Sequence, residues 1–211
     1  PGTSGGHLQW HCAELRQPQR SMLGLAQERW LGRGLATSTR AWKLVGQATQ
    51  MSPCGIDTPA GRVVYSDGWD GYAPARQRLL QGIADAGLRD VVMLGGDVHR
   101  HVAANLRVQP NESRSPVVAS ELVTSSISSR GVSDAAMALT RRSNPDILHA
   151  RSDERGYMLC ELDKHSLHCI ARATAFPVTA RASLHTQAAF AIESGRAGLY
   201  SGHKPVRHPP G

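Results

Sequence analysis

Hydrophobic residues recur with a helical period in two stretches of the chain, and a short apolar run follows each stretch. The first helix is predicted over residues 24–38, and the second from about Pro74 to Gly87, with proline near its start and glycine just past its end. The runs that follow, residues 42–46 and 91–95, are short and predict buried strands. Two successive helix-to-strand units indicate an α/β fold.

The second half of the chain is dominated by predicted strands. We expect a serine-rich loop over residues 124–133 and a short helix over about 134–140. The strands are predicted at residues 102–108, 116–123, 157–162, 166–173 and 188–192. A hairpin that turns near Asp163 and Lys164 joins two of them, so the sheet is expected to be mixed and to end antiparallel.

Segments that contain breakers or lack periodicity set the expected boundaries. Residues 53–59 contain two prolines and a glycine and predict a loop. The end of the chain is rich in Gly, His, Pro and Arg and has no apolar period. We therefore divide the chain into an N-terminal segment of residues 1–20, a folded region of residues 21–199 and a disordered tail of residues 200–211.

The strand at residues 91–95 ends in glycine, and an acid and an imidazole follow almost at once. Glycine lets the backbone turn sharply enough to direct Asp97 and His99 to one point, and sites in open α/β sheets form at the carboxyl ends of strands. A carboxylate with an imidazole suits iron, zinc or manganese. A buried Asp that caps a loop and bonds to a neighbouring His would leave the same pattern. His101 either extends the set or is a solvent-facing neighbour.

A second cluster of acidic and aromatic residues lies at residues 67–76, in a chain with only 5% aromatic residues. Asp70 either caps the helix that begins near Pro74 or acts as a ligand or the support of one. Trp69 and Tyr72 either cover the core or form a wall of a substrate pocket. Hydroxyls of the serine-rich loop could bind phosphate oxygens, although such loops also arise from ordinary turn chemistry.

Composition and charge narrow the class of protein. The 211 residues are 40% hydrophobic and 19% charged, which suits one sizeable globular core. No segment approaches the roughly 20 apolar residues that span a bilayer. The formal net charge of +7 favours anionic partners, but the basic residues are scattered and do not interleave with aromatics. If the metal-ligand pattern does not belong to an enzyme, the alternative is a non-catalytic module that binds anions or nucleic acid. We expect no stable nucleic-acid partner.

The four cysteines show no C-x-x-C spacing of the kind that builds a zinc knuckle. Cys160 and Cys169 lie on the two strands of the predicted hairpin. A turn at Asp163 and Lys164 makes them diagonal neighbours, which is a poor geometry for a disulfide. We therefore expect them to be small core residues.

In their order and spacing, these segments resemble the alkaline phosphatase D family, the PhoD-like branch of the metallophosphoesterases. The resemblance covers roughly residues 12–199 and corresponds to the C-terminal half of the family's catalytic domain. The residues that carry it are Arg20–Gly24 with Gln27, Glu28, Trp30 and Leu31; Trp42–Gln47; Asp67–Tyr72 with Arg76; Gly96–His99; Glu121 with Ser126–Ser129; and Arg155–Tyr157.

The resemblance implies an α/β (α+β) fold, the C-terminal half of a four-layer αββα metallophosphoesterase sandwich with a mixed sheet. It implies hydrolysis of phosphate monoesters and diesters with Fe³⁺ and Ca²⁺, small phosphate esters as substrates, and a periplasmic or extracellular parent protein. By position in the family motifs, Asp97 and His99 are expected to be metal ligands and catalytic residues. Asp70 is expected to be catalytic, and Trp69 and Tyr72 to bind substrate.

The chain also departs from the family pattern. Family sequences carry acidic metal-binding motifs upstream of the matching segments, and residues 1–19 contain none of them. Residues 48–50 differ from the glutamine and apolar residues expected after the strand at residues 42–46. The chain also lacks an initiator methionine. We therefore expect a fragment that is inactive alone and lacks the N-terminal half of the same domain, with a degenerate pseudoenzyme as the alternative.

Overall fold

The computed structural model describes residues 7–202. Its helices are α1 (Leu25–Thr37), α2 (Ala73–Asp85) and α3 (Asp134–Ser143), with short 3₁₀ helices at Ala13–Arg16 and Trp69–Tyr72. The strands are β1 (Leu8–Gln9), β2 (Lys43–Gly46), β3 (Ile56–Thr58), β4 (Gly61–Tyr65), β5 (Val91–Gly95), β6 (His101–Arg107), β7 (Val117–Val123), β8 (Ile147–Arg151), β9 (Glu154–Leu162), β10 (Ser166–Ala175), β11 (His185–Glu193) and β12 (Tyr200–Ser201).

These strands form three sheets within residues 7–202. The five-stranded sheet has the order β2-β5-β7-β6-β8, in which β2, β5 and β7 are parallel and β6 is antiparallel to both of its neighbours. The four-stranded sheet, β12-β11-β10-β9, is antiparallel throughout, as is the small sheet β1-β4-β3. The mixed α/β architecture confirms the predicted fold class.

Side chains of β5 alternate between two hydrophobic cores. Val91 and Met93 pack with Ile83 of α2, whereas Val92 packs with Phe190 of β11. Because successive side chains of a strand point to opposite faces, helices cover one face of the five-stranded sheet and the four-stranded sheet covers the other. These three layers are what residues 7–202 show of the expected four-layer sandwich.

Helix α2 begins and ends where its local signals predicted. Pro74 lies in its first turn, where no amide donor is needed. Gly87 has a φ of 58°, and the Leu88 amide donates to the Ile83 carbonyl at 3.1 Å, which closes the helix end. The other predicted helices and strands are confirmed to within three residues at each end. No helix among residues 7–202 is long and apolar enough to cross a membrane.

Three local predictions were wrong. Residues 53–59 are not only a loop, because β3 begins at Ile56 and pairs with β4. Strand β8 follows α3 without having been predicted. The first two residues of the predicted disordered tail, Tyr200 and Ser201, instead form β12 against β11. The rest of that tail, residues 203–211, and residues 1–6 lie outside the described residues.

The register of the β9–β10 hairpin also differs from the prediction. One oxygen of Asp163 accepts hydrogen bonds from the His165 amide at 2.7 Å and the Ser166 amide at 2.8 Å. These bonds place the turn at Lys164 and His165, one position later than expected, because a side chain that caps its own turn fixes the residues at the tip. Cys160 and Cys169 are therefore directly opposite each other, not diagonal.

Candidate functional site

The turn that follows β5 has an unusual backbone. Asp97 and His99 have φ angles of 65° and 55°, in the left-handed region that non-glycine residues rarely adopt. Immediately before them, a Cβ on Gly95 would collide with the Thr49 carbonyl oxygen, so glycine is required where β5 ends. The Val98 amide donates to the Gly96 carbonyl at 2.7 Å and tightens the turn. Both candidate ligands therefore project from one short, strained segment.

His99 is held on its ring and on its backbone. Its ring Nδ1 lies 3.0 Å from the Arg130 carbonyl oxygen, which can only accept, so Nδ1 carries the hydrogen and Nε2 keeps its lone pair. Its own carbonyl accepts a hydrogen bond from Arg155 Nη1 at 2.9 Å. The serine-rich loop approaches closely at Gly131, where a Cβ would lie 2.8 Å from the His99 carbonyl oxygen. An imidazole held through Nδ1 is typical of a metal ligand.

Asp97 differs from His99 because its carboxylate is unrestrained. The side chain is exposed, and among residues 7–202 no group donates a hydrogen bond to it. It lines a cavity of about 690 Å³ together with His99, Asp70, Trp69 and Arg100. The carboxylate is therefore available to a ligand that enters this cavity.

Asp70 lines the same cavity but is fully engaged by the protein. One oxygen accepts from Arg76 Nη1 at 2.7 Å and the other from the Cys54 amide at 2.9 Å. Burial raises the pKa of this carboxyl, but the charge and hydrogen bond of Arg76 lower it more, so the pKa lies below its ordinary value. Asp70 is thus ionised and paired, so its carboxylate stabilises the cavity wall and is not free to act as a metal ligand.

The structure separates the two aromatic residues predicted to bind substrate. Trp69 is buried, lines the cavity and donates through Nε1 to Gln47 Oε1 at 3.0 Å. Tyr72 lies one 3₁₀ turn later, and its ring centroid is 4.6 Å from the Arg20 guanidinium carbon. It is not among the residues that line this cavity. The structure therefore brings together Asp97, His99, Asp70 and Trp69 and leaves Tyr72 apart.

Three buried charged residues support the site and were not predicted to belong to it. Glu121, in the middle of β7, accepts a hydrogen bond from the Ser52 amide at 2.8 Å and holds the loop after β2. Burial raises its pKa, while the amide bonds oppose that rise. Arg155 of β9 holds the His99 carbonyl, and Arg100 Nε donates to Gln50 Oε1 at 3.0 Å. In the sequence, Glu121 and Arg155 stood out only as residues that carry the family resemblance, and Arg100 did not stand out at all.

The donors at this turn fit part of a metal site. Within the described part of the chain, Asp97 supplies an unpaired carboxylate and His99 a free Nε2, a mixed set that suits iron or zinc. Protein sites usually supply three or more ligands. Among residues 7–202, no group of three or more His, Cys, Asp or Glu side chains could hold a metal ion. The ligand types of Asp97 and His99 therefore suit a metal ion, but two ligands are fewer than a metal site usually has.

Comparisons with known proteins agree on one family. Residues 3–170 match the family described as PhoD-like phosphatase. Alkaline phosphatase D of Bacillus subtilis (strain 168) is 33% identical over 189 residues, which cover 88% of this chain and 32% of that protein. A solved structure described as "Structure of PhoD" superposes with a TM-score of 0.82 at 28% identity, covering 96% of this chain and 39% of the other.

The matched region covers most of this chain but only part of each relative. This chain spans about a third of the length of the Bacillus relative and a similar share of the solved structure. The family match nevertheless covers most of its own residues, including the Asp97–His99 turn and Asp70. The chain therefore belongs to the PhoD-like phosphatase family.

Proposed function

We propose that this chain supplies one corner of the active site of a metal-dependent phosphoesterase that hydrolyses phosphate monoesters and diesters. One observation carries the proposal: the Asp97 carboxylate and His99 Nε2, both without a hydrogen-bond partner among residues 7–202, project from the same left-handed turn into one cavity. Unfavourable backbone conformations cluster at functional sites. Membership of a phosphatase family supplies the reaction class.

The proposed metals are Fe³⁺ and Ca²⁺, with Asp97 and His99 as ligands. Carboxylate oxygen suits both ions, and imidazole suits iron. When bound, such ions polarise the phosphoryl oxygens and activate the attacking water. In this chain, the Arg130 carbonyl holds the imidazole in the tautomer that leaves Nε2 available, and Arg155 holds the His99 backbone in place.

The cavity suits a small phosphate ester as substrate. Its volume of about 690 Å³ lies within the usual range for small-molecule sites. Arg100 contributes a guanidinium to the lining, and its Nε is oriented by Gln50. A guanidinium matches the charge and geometry of a phosphate. Trp69 forms an apolar wall, and the Asp70–Arg76 pair holds the wall in place.

The remaining metal ligands are proposed to come from the part of the family domain that this chain does not match. Two ligands are too few for a stable site, so the isolated 211-residue chain is expected to show little turnover. The parent protein is proposed to act in the periplasm or outside the cell, as the family resemblance implies.

The test compares the 211-residue chain with a longer polypeptide that carries this sequence within a complete PhoD-like domain. Both are assayed with p-nitrophenyl phosphate and bis-p-nitrophenyl phosphate in Fe³⁺ and Ca²⁺, and bound metal is counted by mass spectrometry. In the longer polypeptide, Asp97→Asn and His99→Ala are expected to lower turnover by about 100-fold or more and to reduce bound metal. Loss of a residue that only supports a metal ligand already costs roughly 10–100-fold, and loss of the ligand itself should cost no less.

Matched controls are Asp85→Asn and His165→Ala, which change exposed residues that do not line the cavity. Both should keep wild-type activity and metal content. Wild-type turnover and metal content in Asp97→Asn and His99→Ala would refute the assignment of the ligands. Full turnover by the 211-residue chain would refute the need for the rest of the domain.

A further inference from the structure

Two thiols face each other across the β9–β10 hairpin, away from the cavity. Cys160 and Cys169 are direct partners in an antiparallel register that runs without a bulge from Leu162 and Leu167 to Glu154 and Ala175. Cys160 is exposed on β9, which is the edge strand of the four-stranded sheet, and Cys169 is buried against the facing sheet. Reagents in solvent can therefore reach one thiol of a preformed pair.

The turn of the hairpin identifies the type of pair. The Asp163 amide donates to the Ser166 carbonyl at 3.0 Å, so these two residues form a hydrogen-bonded pair next to the turn. Hydrogen-bonded and non-hydrogen-bonded pairs alternate along an antiparallel ladder. Counting back three positions on each strand makes Cys160 and Cys169 a non-hydrogen-bonded pair.

That type of pair suits a disulfide. The Cα atoms of a non-hydrogen-bonded pair lie about 4.5 Å apart, inside the range of roughly 4.4–6.8 Å that disulfides span. Its side chains are also the closer of the two kinds. The strands therefore need little movement for the two sulfurs to bond.

We propose that Cys160 and Cys169 form a reversible cross-strand disulfide that joins the edge strand β9 to β10, with a small-molecule disulfide such as oxidised glutathione as the oxidant. The proximity of Cys169 lowers the pKa of Cys160, and the proximity of Cys160, together with burial, raises the pKa of Cys169. The exposed sulfur is thus the nucleophile and the buried one resolves the intermediate.

The reaction is two successive thiol–disulfide exchanges. The Cys160 thiolate attacks one sulfur of oxidised glutathione, forms a mixed disulfide and releases one glutathione thiolate. The Cys169 sulfur loses its proton, attacks the Cys160 sulfur and releases the second glutathione thiolate. The protein loses two protons and two electrons, and the oxidant becomes two molecules of glutathione.

The cross-link would act on the strand that carries Arg155. Residues 154–155 at the start of β9 lie beside the His99 turn, because Arg155 donates to the His99 carbonyl at 2.9 Å. An edge strand has a neighbour on one side only and opens more readily than a central one. A covalent bond to β10 would restrict that opening.

The test uses the native 211-residue chain, incubated with oxidised glutathione, blocked with iodoacetamide and digested with trypsin without reduction. Lys164 separates the two cysteines, so the disulfide joins peptide 156–164 to peptide 165–172, and reduction releases them. Of the four thiols, two should be lost to oxidation. The oxidised chain should also melt at a higher temperature than the reduced chain.

Cysteine variants make the test specific. Cys12→Ser and Cys54→Ser should still lose two thiols and yield the joined peptides, whereas Cys160→Ser should yield none and keep its melting temperature in the oxidant. Cys160→Ser is the main variant because its side chain is exposed, so folding should tolerate the change. Four free thiols after oxidation, a stable glutathione adduct on Cys160, or a disulfide to Cys12 or Cys54 would each overturn the proposal.

Discussion

Asp70 and Asp97 line the same cavity, yet the protein treats their carboxylates in opposite ways. Asp70 is buried, and its two oxygens accept from Arg76 and from the Cys54 amide. Asp97 is exposed, has a left-handed backbone and receives no hydrogen bond from the residues the structure describes. Two hydrogen bonds hold the carboxylate of Asp70, whereas only the backbone positions that of Asp97 among the described residues.

This difference distinguishes a carboxylate that stabilises the fold, Asp70, from one that is available to a ligand, Asp97. A buried carboxylate without compensation costs several kcal/mol, so the pairing of Asp70 is what folding alone requires. The left-handed Asp97 is spanned by the Val98–Gly96 hydrogen bond of its own turn, but within residues 7–202 no group donates to its carboxylate. We therefore infer that position 97 keeps an acid because its carboxylate binds a ligand, which agrees with the proposed function.

The largest expected effect comes from Arg76→Met, which removes the partner of Asp70 and leaves a buried charge. We expect a loss of about 3–5 kcal/mol in the free energy of unfolding, measured by urea titration of the 211-residue chain. Arg196→Met is the control, because the Arg196–Glu193 pair is exposed at 3.3 Å. Exposed pairs contribute little, so this variant should unfold as wild type does. An equal loss in both variants would contradict the structural role of Asp70.

Arg76→Met should also reverse the direction in which the Asp70 carboxyl makes the free energy of unfolding change with pH. In the wild type, Arg76 holds the pKa of Asp70 below its ordinary value of 3.8, so the unfolded state binds more protons and stability is lost as the pH falls below that value. In Arg76→Met, burial dominates and raises the pKa of Asp70. The native state then binds more protons, and stability is lost as the pH rises above about 3.8. Urea titrations between pH 3 and 6 distinguish the two slopes.

Sequence patterns predicted the strand and turn that carry Asp97 and His99 because the signals are local. An apolar run, terminal glycines and two ligand-type side chains all lie within nine residues. The supports of this turn could not be predicted in the same way. Arg155 is 56 residues from His99, and Glu121 is 69 residues from Ser52. Such contacts depend on which strands are neighbours in the sheet.

The hairpin shows the same limit at short range. Its two strands were predicted correctly, because their composition is typical of half-buried strands. Its register was wrong by one position at the turn, because two hydrogen bonds to the Asp163 carboxylate decide which residues occupy the tip. A shift of this size changed Cys160 and Cys169 from diagonal to direct partners. Turn chemistry, more than strand composition, determined whether the thiols meet.

A smaller effect is expected at a second left-handed acid, which provides a control for Asp97. Asp90 has a φ of 58°, and its oxygens accept from Ser194 Oγ and the Gly195 amide, both at 2.8 Å. In Asp90→Gly the relief of backbone strain is offset by the loss of two hydrogen bonds to a charged group. We expect a net loss of about 1–2 kcal/mol in unfolding free energy, measured by urea titration.

The smallest expected effect is that of Asp97→Gly. Glycine adopts positive φ freely, so this change relieves a strain of about 1–2 kcal/mol, while the greater freedom of glycine in the unfolded chain offsets roughly 0.5–1 kcal/mol of that gain. No hydrogen bond among the described residues is lost, so the chain should be as stable as wild type or up to about 1 kcal/mol more stable. In a complete domain, the same change should abolish turnover. A clear loss of stability in Asp97→Gly, matching that of Asp90→Gly, would show that Asp97 serves the fold and not a ligand.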